Sequence, residues 1–140
     1  MIYHGSKDND LSELPEVVRQ TIDYLMPHKR KFDSIAVMGI SGEIVGIPVA
    51  LALGKPIVII RKEGIQSHSY GLPIVNVRNV GKRCLFIDDF IAGGKTIRRV
   101  ISVIEDGTKA KVVNAFLYAD ASFFITGMKS KKELDKYRQV

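Results

Sequence analysis

The sequence predicts a single α/β domain built on a doubly wound, mostly parallel sheet. Short apolar runs, Ser34–Met38, Pro56–Arg61, Cys84–Ile87 and Val112–Tyr118, recur along the chain. Strands that are apolar throughout, with no polar alternation, belong to sheets covered on both faces. Segments of helical periodicity separate them, which is the alternation of a parallel α/β sheet. The 140 residues contain no repeat, low-complexity tract or linker, so they bound the answer to one domain (1–140).

Leu14, Val18, Ile22, Leu25 and Met26 recur at helical spacing; Pro15 suits a first turn and Pro27 ends the helix. After the Ser34–Met38 strand comes a turn, Gly39-Ile40-Ser41-Gly42. Glu43–Leu53 reads as helix despite Pro48, closed by Gly54. Pro56–Arg61 is a β-branched strand. Lys62–Leu72 reads as loop, and Pro73–Asn79 as a less regular strand or a hairpin arm. Cys84–Ile87 is an apolar strand ending at Asp88-Asp89. Ile97, Val100, Ile101 and Ile104 then share one helical face, with Gly107 closing that helix.

Composition narrows the partners. A hydrophobic share of 46% and a charged share of 26% are those of a globular chain. The longest apolar run, Ile44–Leu53, is about half a membrane span, so no membrane partner is expected. The first residues lack the apolar core of a signal peptide. The lone Cys84 lies among apolar neighbours and reads as a small hydrophobe, which points to a reducing, cytoplasmic setting. The net charge of +6 favours anionic ligands. Much of it sits in His28–Lys31 and in the tail from Lys129 to Arg138, both read as solvated surface. His4, His28 and His68 have no metal-ligand spacing.

In sheets of this class ligands bind at the carboxyl ends of strands. There the chain places Asp88-Asp89-Phe90-Ile91-Ala92-Gly93-Gly94-Lys95-Thr96. Two glycines let backbone amides turn toward an anion, and the following helix start adds partial positive charge. Thr96 donates its hydroxyl or caps the helix. Asp88 and Asp89 would repel a phosphate at close range, so they read as acceptors for sugar hydroxyls or as ligands of Mg²⁺. A P-loop is excluded because the position that must be its first glycine is Asp89.

The segment Cys84–Thr96 resembles the motif by which type I phosphoribosyltransferases bind 5-phosphoribosyl 1-pyrophosphate (PRPP). The resemblance implies that Asp88 and Asp89 meet the ribose, and that Ala92, Gly93, Gly94, Lys95 and Thr96 take the 5-phosphate. Two further segments follow in the family's order. Gly39–Gly46 is similar to its pyrophosphate loop, with Ser41 and Gly42 facing the diphosphate. Arg61-Lys62 ends the next strand and matches the basic pair of adenine-type members, which implies that Arg61 or Lys62 contacts the pyrophosphate and neutralises its charge in catalysis. Glu63–Gly71 corresponds to the flexible loop that closes over the site, bringing in Ser69 and Tyr70. The likeness spans roughly residues 34–118, the core, and leaves the termini to supply a reduced hood.

That resemblance implies an enzyme that displaces pyrophosphate from PRPP with a nitrogenous base. Mg²⁺ would be held mainly through PRPP, with Asp88 and Asp89 as further ligands. Family members are commonly dimers, which implies a homodimer. The sequence departs from the family's pattern at Gly93, where many members have threonine, and at Lys95, where many have glycine. Hypoxanthine-type members carry aspartate at the position of Ala92; alanine slightly favours an adenine-like base and withholds a general base. Phe123-Phe124 is a candidate stacking pair for that base, and Tyr118 and Asp120 lie near the last strand's end. A second reading keeps the PRPP site but makes the protein a regulator that senses PRPP and binds nucleic acid through its basic clusters.

Overall fold

The computed structural model describes residues 12–62, 73–119 and 127–138. In chain order it has α1 (Leu14–Leu25), β1 (Ser34–Val37), α2 (Ile40–Leu53), β2 (Ile57–Ile60), β3 (Ile74–Val75), β4 (Arg83–Asp88), α3 (Lys95–Gly107), β5 (Lys111–Leu117), β6 (Met128–Lys129) and α4 (Lys131–Leu134). The six strands form one sheet in the order β3-β2-β1-β4-β5-β6. β2, β1, β4 and β5 run parallel, and short antiparallel strands, β3 and β6, close the two edges. The mostly parallel α/β sheet expected from the apolar runs is therefore present.

Those runs are apolar throughout because both faces of each strand are buried. Ile35, Val37, Leu85 and Ile87 face one layer with Val45 and Val49 of α2 and Val17 of α1. Ala36, Phe86 and Val58 face the other, where Ile97, Val100, Ile101 and Ile104 of α3 cover them. The α3 stripe is the one its spacing predicted. In α1 the buried line is instead Val17, Thr21 and Leu25, with Val18 and Ile22 on its flank. Thr21 sits in that line because its hydroxyl is satisfied by donating to the Val17 carbonyl at 2.8 Å.

Four expectations change. α2 starts at Ile40, not Glu43, because Gly39 adopts φ +84° and turns the chain directly into the helix. The arm 73–79 shrinks to the two-residue β3 followed by a 3₁₀ turn, Val77–Asn79. Gly54 does close α2 in the left-handed conformation, but Gly107 is the last residue of α3 and Thr108 caps it. The Thr108 amide bonds the Ile104 carbonyl, and so does its hydroxyl.

The fourth concerns the basic tail, which is not simply solvated. Ser130 and Glu133 form a reciprocal capping box, and Leu134 is fully buried. Arg138 pairs with Glu105 at 2.8 Å and donates to the Val112 carbonyl at 2.6 Å, fastening the tail to α3 and β5. Charge expected for a nucleic-acid surface is thus partly spent on packing. Among the described residues no helix is long and apolar enough to cross a membrane.

Candidate functional site

The chain leaves β1 toward one edge of the sheet and β4 toward the other, so the two loops diverge. A crevice opens between them at the strands' carboxyl ends, the usual ligand position in such sheets. Here it is a cleft of about 650 Å³ lined by Met38–Ser41 and Ile44 on one side, by Phe86 and Asp88–Ile97 on the other, and by Lys62. The topology thus gathers Ser41, Lys62, Asp88, Asp89, Ala92, Gly93, Gly94, Lys95 and Thr96, distant in sequence, around one space.

Asp88 is the last residue of β4 and only 6% exposed. Its Oδ1 accepts the Asp89 amide at 2.9 Å and the Ser41 hydroxyl at 3.1 Å. Burial, aided by the carboxylate of Asp89 beside it, pushes the Asp88 carboxyl up to about 7. The backbone of the pair is pinned from β5: the Tyr118 amide bonds the Asp88 carbonyl at 3.0 Å and the Ala119 amide the Asp89 carbonyl at 2.9 Å. Asp89 is half-buried, and its Oδ1 accepts the Phe90 amide at 2.7 Å. One carboxylate is thus sunk under the cleft floor and its neighbour faces the opening.

Beyond the pair, Gly94 takes φ +87° and turns the chain into α3. Thr96 does not cap that helix; the N-cap is Gly94, and the hydroxyl remains available to the cleft. The first-turn amides of a helix lack partners within it and carry its positive end. Two such ends meet here, from α3 at Lys95–Ile97 and from α2 at Ile40 and Ser41. An anion with two phosphate centres fits that pairing.

Two residues expected on the pyrophosphate side sit elsewhere. Gly42 is buried and does not line the cleft. A Cβ there would lie 2.9 Å from the Ile87 carbonyl oxygen and 3.3 Å from Val37 Cβ, so this glycine lets α2 press against β4. Of Arg61-Lys62, Lys62 lines the cleft and Arg61 does not. The Lys62 chain crosses Gly39, whose Cβ would meet its Cε at 3.3 Å, while the Arg61 carbonyl accepts from Arg99 Nε at 3.0 Å. Both residues lie just past the end of β2, Ile60, so which of the two reaches the cleft depends on how the chain leaves that strand.

Tyr118, near the end of the last long strand, is buried and donates its hydroxyl to the Ser41 carbonyl at 2.9 Å, so it props the first turn of α2. Sequence reading missed Ile40 and Phe90, 76% and 44% exposed, which give the cleft mouth an apolar rim. Their exposed placement has no periodic signature that would reveal it. Ser69, Tyr70, Asp120, Phe123 and Phe124 lie outside the described residues. As to a metal, Asp88 and Asp89 offer hard oxygen donors side by side, and among the described residues no group of three His, Cys, Asp or Glu gathers. That donor set fits Mg²⁺, which takes one or two carboxylates and completes its shell from phosphates and water.

No family model matches the chain. The adenine phosphoribosyltransferase of Histophilus somni (strain 2336) is 33% identical over 110 residues, 68% of this chain and 62% of that protein. The adenine phosphoribosyltransferase of Clostridium beijerinckii is 31% identical over 137 residues, 87% of this chain and 77% of that protein. The chain spans about 60% of the length of the first curated relatives it matches. Among solved structures, the adenine phosphoribosyltransferase from Thermoanaerobacter pseudethanolicus superposes with a TM-score of 0.60 at 25% identity, over 77% of this chain and 68% of that one. These relatives carry transferase names, and nothing in them supports the nucleic-acid-binding regulator.

Proposed function

The chain belongs to the type I phosphoribosyltransferase family, and we propose that it transfers the 5-phosphoribosyl group of PRPP to a purine base, adenine foremost, releasing pyrophosphate. The observation that carries this reading is that one cleft holds an acidic pair together with two helix N-termini. A ribose bearing a phosphate on one side and a diphosphate on the other has the matching sequence of charges.

In this reading the amides of Ala92–Thr96 and the Thr96 hydroxyl take the 5-phosphate. Asp88 and Asp89 accept the ribose hydroxyls, with Asp89 facing the cleft and Asp88 held beneath it by Ser41. The first amides of α2, that of Ser41 among them, and the Lys62 ammonium receive the diphosphate, while the single hydroxyl proton of Ser41 stays on Asp88. The bond from the anomeric carbon to the diphosphate oxygen breaks, its electron pair leaving with pyrophosphate, and a base nitrogen bonds the same carbon and gives up its N–H proton to the departing pyrophosphate or solvent. Positive charge grows on the sugar ring as the bond lengthens, and the acidic pair lies where that charge develops. Lys62 lies where negative charge gathers on the leaving group. Asp88 and Asp89 would hold a Mg²⁺ brought mainly by PRPP, which would supply neutralisation of the leaving phosphates.

Arg61 belongs to the reading as a second cation for the pyrophosphate, Ser69 and Tyr70 as residues of a closing loop that keeps water from the sugar, and Phe123-Phe124 as a stack for the base. Ala92 offers no carboxylate to the acceptor, in line with an adenine-like base. A homodimer working in the cytoplasm in nucleotide salvage is part of the same proposal, supported by family membership. The test is pyrophosphate release from PRPP and Mg²⁺ with a panel of purines and pyrimidines. Release with adenine above the other bases is the expected result; no release with any base contradicts the proposal.

A further inference from the structure

The phosphate loop has a second layer of support that comes from the C-terminal tail. Gly94 is buried although its neighbours Ala92 and Gly93 are exposed. What covers it is Arg98 and Tyr137. A Cβ on Gly94 would lie 2.6 Å from Arg98 Nη1 and 3.0 Å from Tyr137 Cε1. Arg98, one turn into α3, folds back so that Nη1 donates to the Gly93 carbonyl at 3.0 Å. Its guanidinium lies over the Tyr137 ring, 5.4 Å from the centroid, with Lys136 also over that ring at 5.0 Å.

The consequence follows from peptide geometry. A trans peptide is planar and carries its carbonyl and its N–H on opposite sides. Holding the Gly93 carbonyl toward Arg98 therefore turns the Gly94 N–H the other way. Arg98 is a long, exposed side chain with much rotamer freedom to lose, and the aromatic ring beneath it restricts that freedom. The ring is itself fixed, because Leu134 is fully buried before it and Arg138 is paired with Glu105 after it. Neither Arg98 nor Tyr137 lines the cleft next to Asp88; both line an adjoining cavity of about 830 Å³ that shares Lys62, Gly93, Lys95 and Thr96 with it, and what reaches the loop from them is the bond to the Gly93 carbonyl.

We propose that Arg98 and Tyr137 are positioning residues that lock the Gly93–Gly94 peptide in the orientation that binds the 5-phosphate, and so make the C-terminal tail a part of the donor site. This rests on the phosphoribosyltransferase reading. Tyr137→Ala is the informative variant because it removes the ring and leaves every charge in place.

The experiment is calorimetric titration of the full chain with ribose 5-phosphate and, separately, with pyrophosphate and Mg²⁺. Losing one hydrogen bond's worth of order is expected to weaken ribose 5-phosphate by about 3- to 10-fold in Tyr137→Ala, with pyrophosphate within about twofold. Tyr137→Phe, which keeps the ring, binds both as the parent does. Should Tyr137→Ala not fold, Arg98→Met at an exposed position carries the same expectation. Equal weakening of both ligands, or no weakening of ribose 5-phosphate, overturns the inference while leaving the transferase reading intact. A parent protein that binds neither ligand overturns both.

Discussion

The Ser41 hydroxyl donates to Asp88 Oδ1 across 3.1 Å, tying the first turn of α2 to the end of β4. The hydrogen bond spans the cleft's two walls, and it is one of the interactions that hold Asp88 toward its ionised form against burial. Ser41→Ala removes that donor and leaves burial unopposed to the same extent, so the Asp88 carboxyl moves further up. If PRPP binding uses the ionised carboxylate, as proposed, it is then expected to strengthen at a higher pH than in the parent. Binding titrations across pH 5–9 check this (about two units either side of the Asp88 value). An unchanged acid limb speaks against a role for Asp88 in ligand binding.

Asp88 also sets a pH dependence of stability. Its carboxyl is raised from 3.8 to about 7 in the folded protein. The unfolded chain therefore gives up this proton first, and the native state loses stability as pH rises from about 4 through 7. Asp88→Asn removes the titration. It is expected to melt higher than the parent at pH 8, by about 4 °C or more, with no gain at pH 4. A parallel shift at both pH values contradicts the assignment.

Two glycines of α2 are set by close approach. A Cβ on Gly46 would lie 2.3 Å from Val37 Cγ1, so Gly46→Ala overpacks the layer between α2 and β1 and costs about 1–3 kcal/mol in chemical denaturation. Gly42→Ala meets the Ile87 carbonyl oxygen, which cannot swing aside as a side-chain tip can. It is expected to lift the start of α2 and weaken pyrophosphate binding in addition to stability. Pyrophosphate affinity unchanged in Gly42→Ala removes the first turn of α2 from the site.

Of the basic pair, Lys62 has the larger expected effect. It lines the cleft and is exposed, so Lys62→Ala leaves the fold intact and removes the charge-assisted contact proposed for the diphosphate. Pyrophosphate affinity is expected to fall by about 10-fold or more, and by less in Arg61→Ala. The reverse order places Arg61, not Lys62, at the leaving group.

The sheet was legible because burial on both faces removes polar residues from whole strands, as in Cys84–Ile87. The α3 stripe was legible for the same reason in helical spacing. Gly39–Gly42 misled, since glycines that serve a positive φ or a close approach look like a loop before the packing partner is known. The tail misled in the opposite sense: Lys131, Lys132 and Lys136 are exposed, yet Leu134 and Arg138 between them anchor it. In the site, adjacent aspartates at a strand end are visible in one dimension. That Lys62 rather than Arg61 turns toward them depends on how the chain leaves β2, and that Tyr137 reaches Gly94 depends on a long-range contact.

The central claim is that Asp88, Asp89 and the loop to Thr96 hold the phosphoribosyl donor. Direct titration of PRPP with Mg²⁺ into the parent and into Asp88→Asn/Asp89→Asn tests it most directly. The account predicts saturable binding to the parent and a loss of about 100-fold or more in the double variant, which cannot accept the ribose hydroxyls as carboxylates do. Equal binding to both proteins contradicts it.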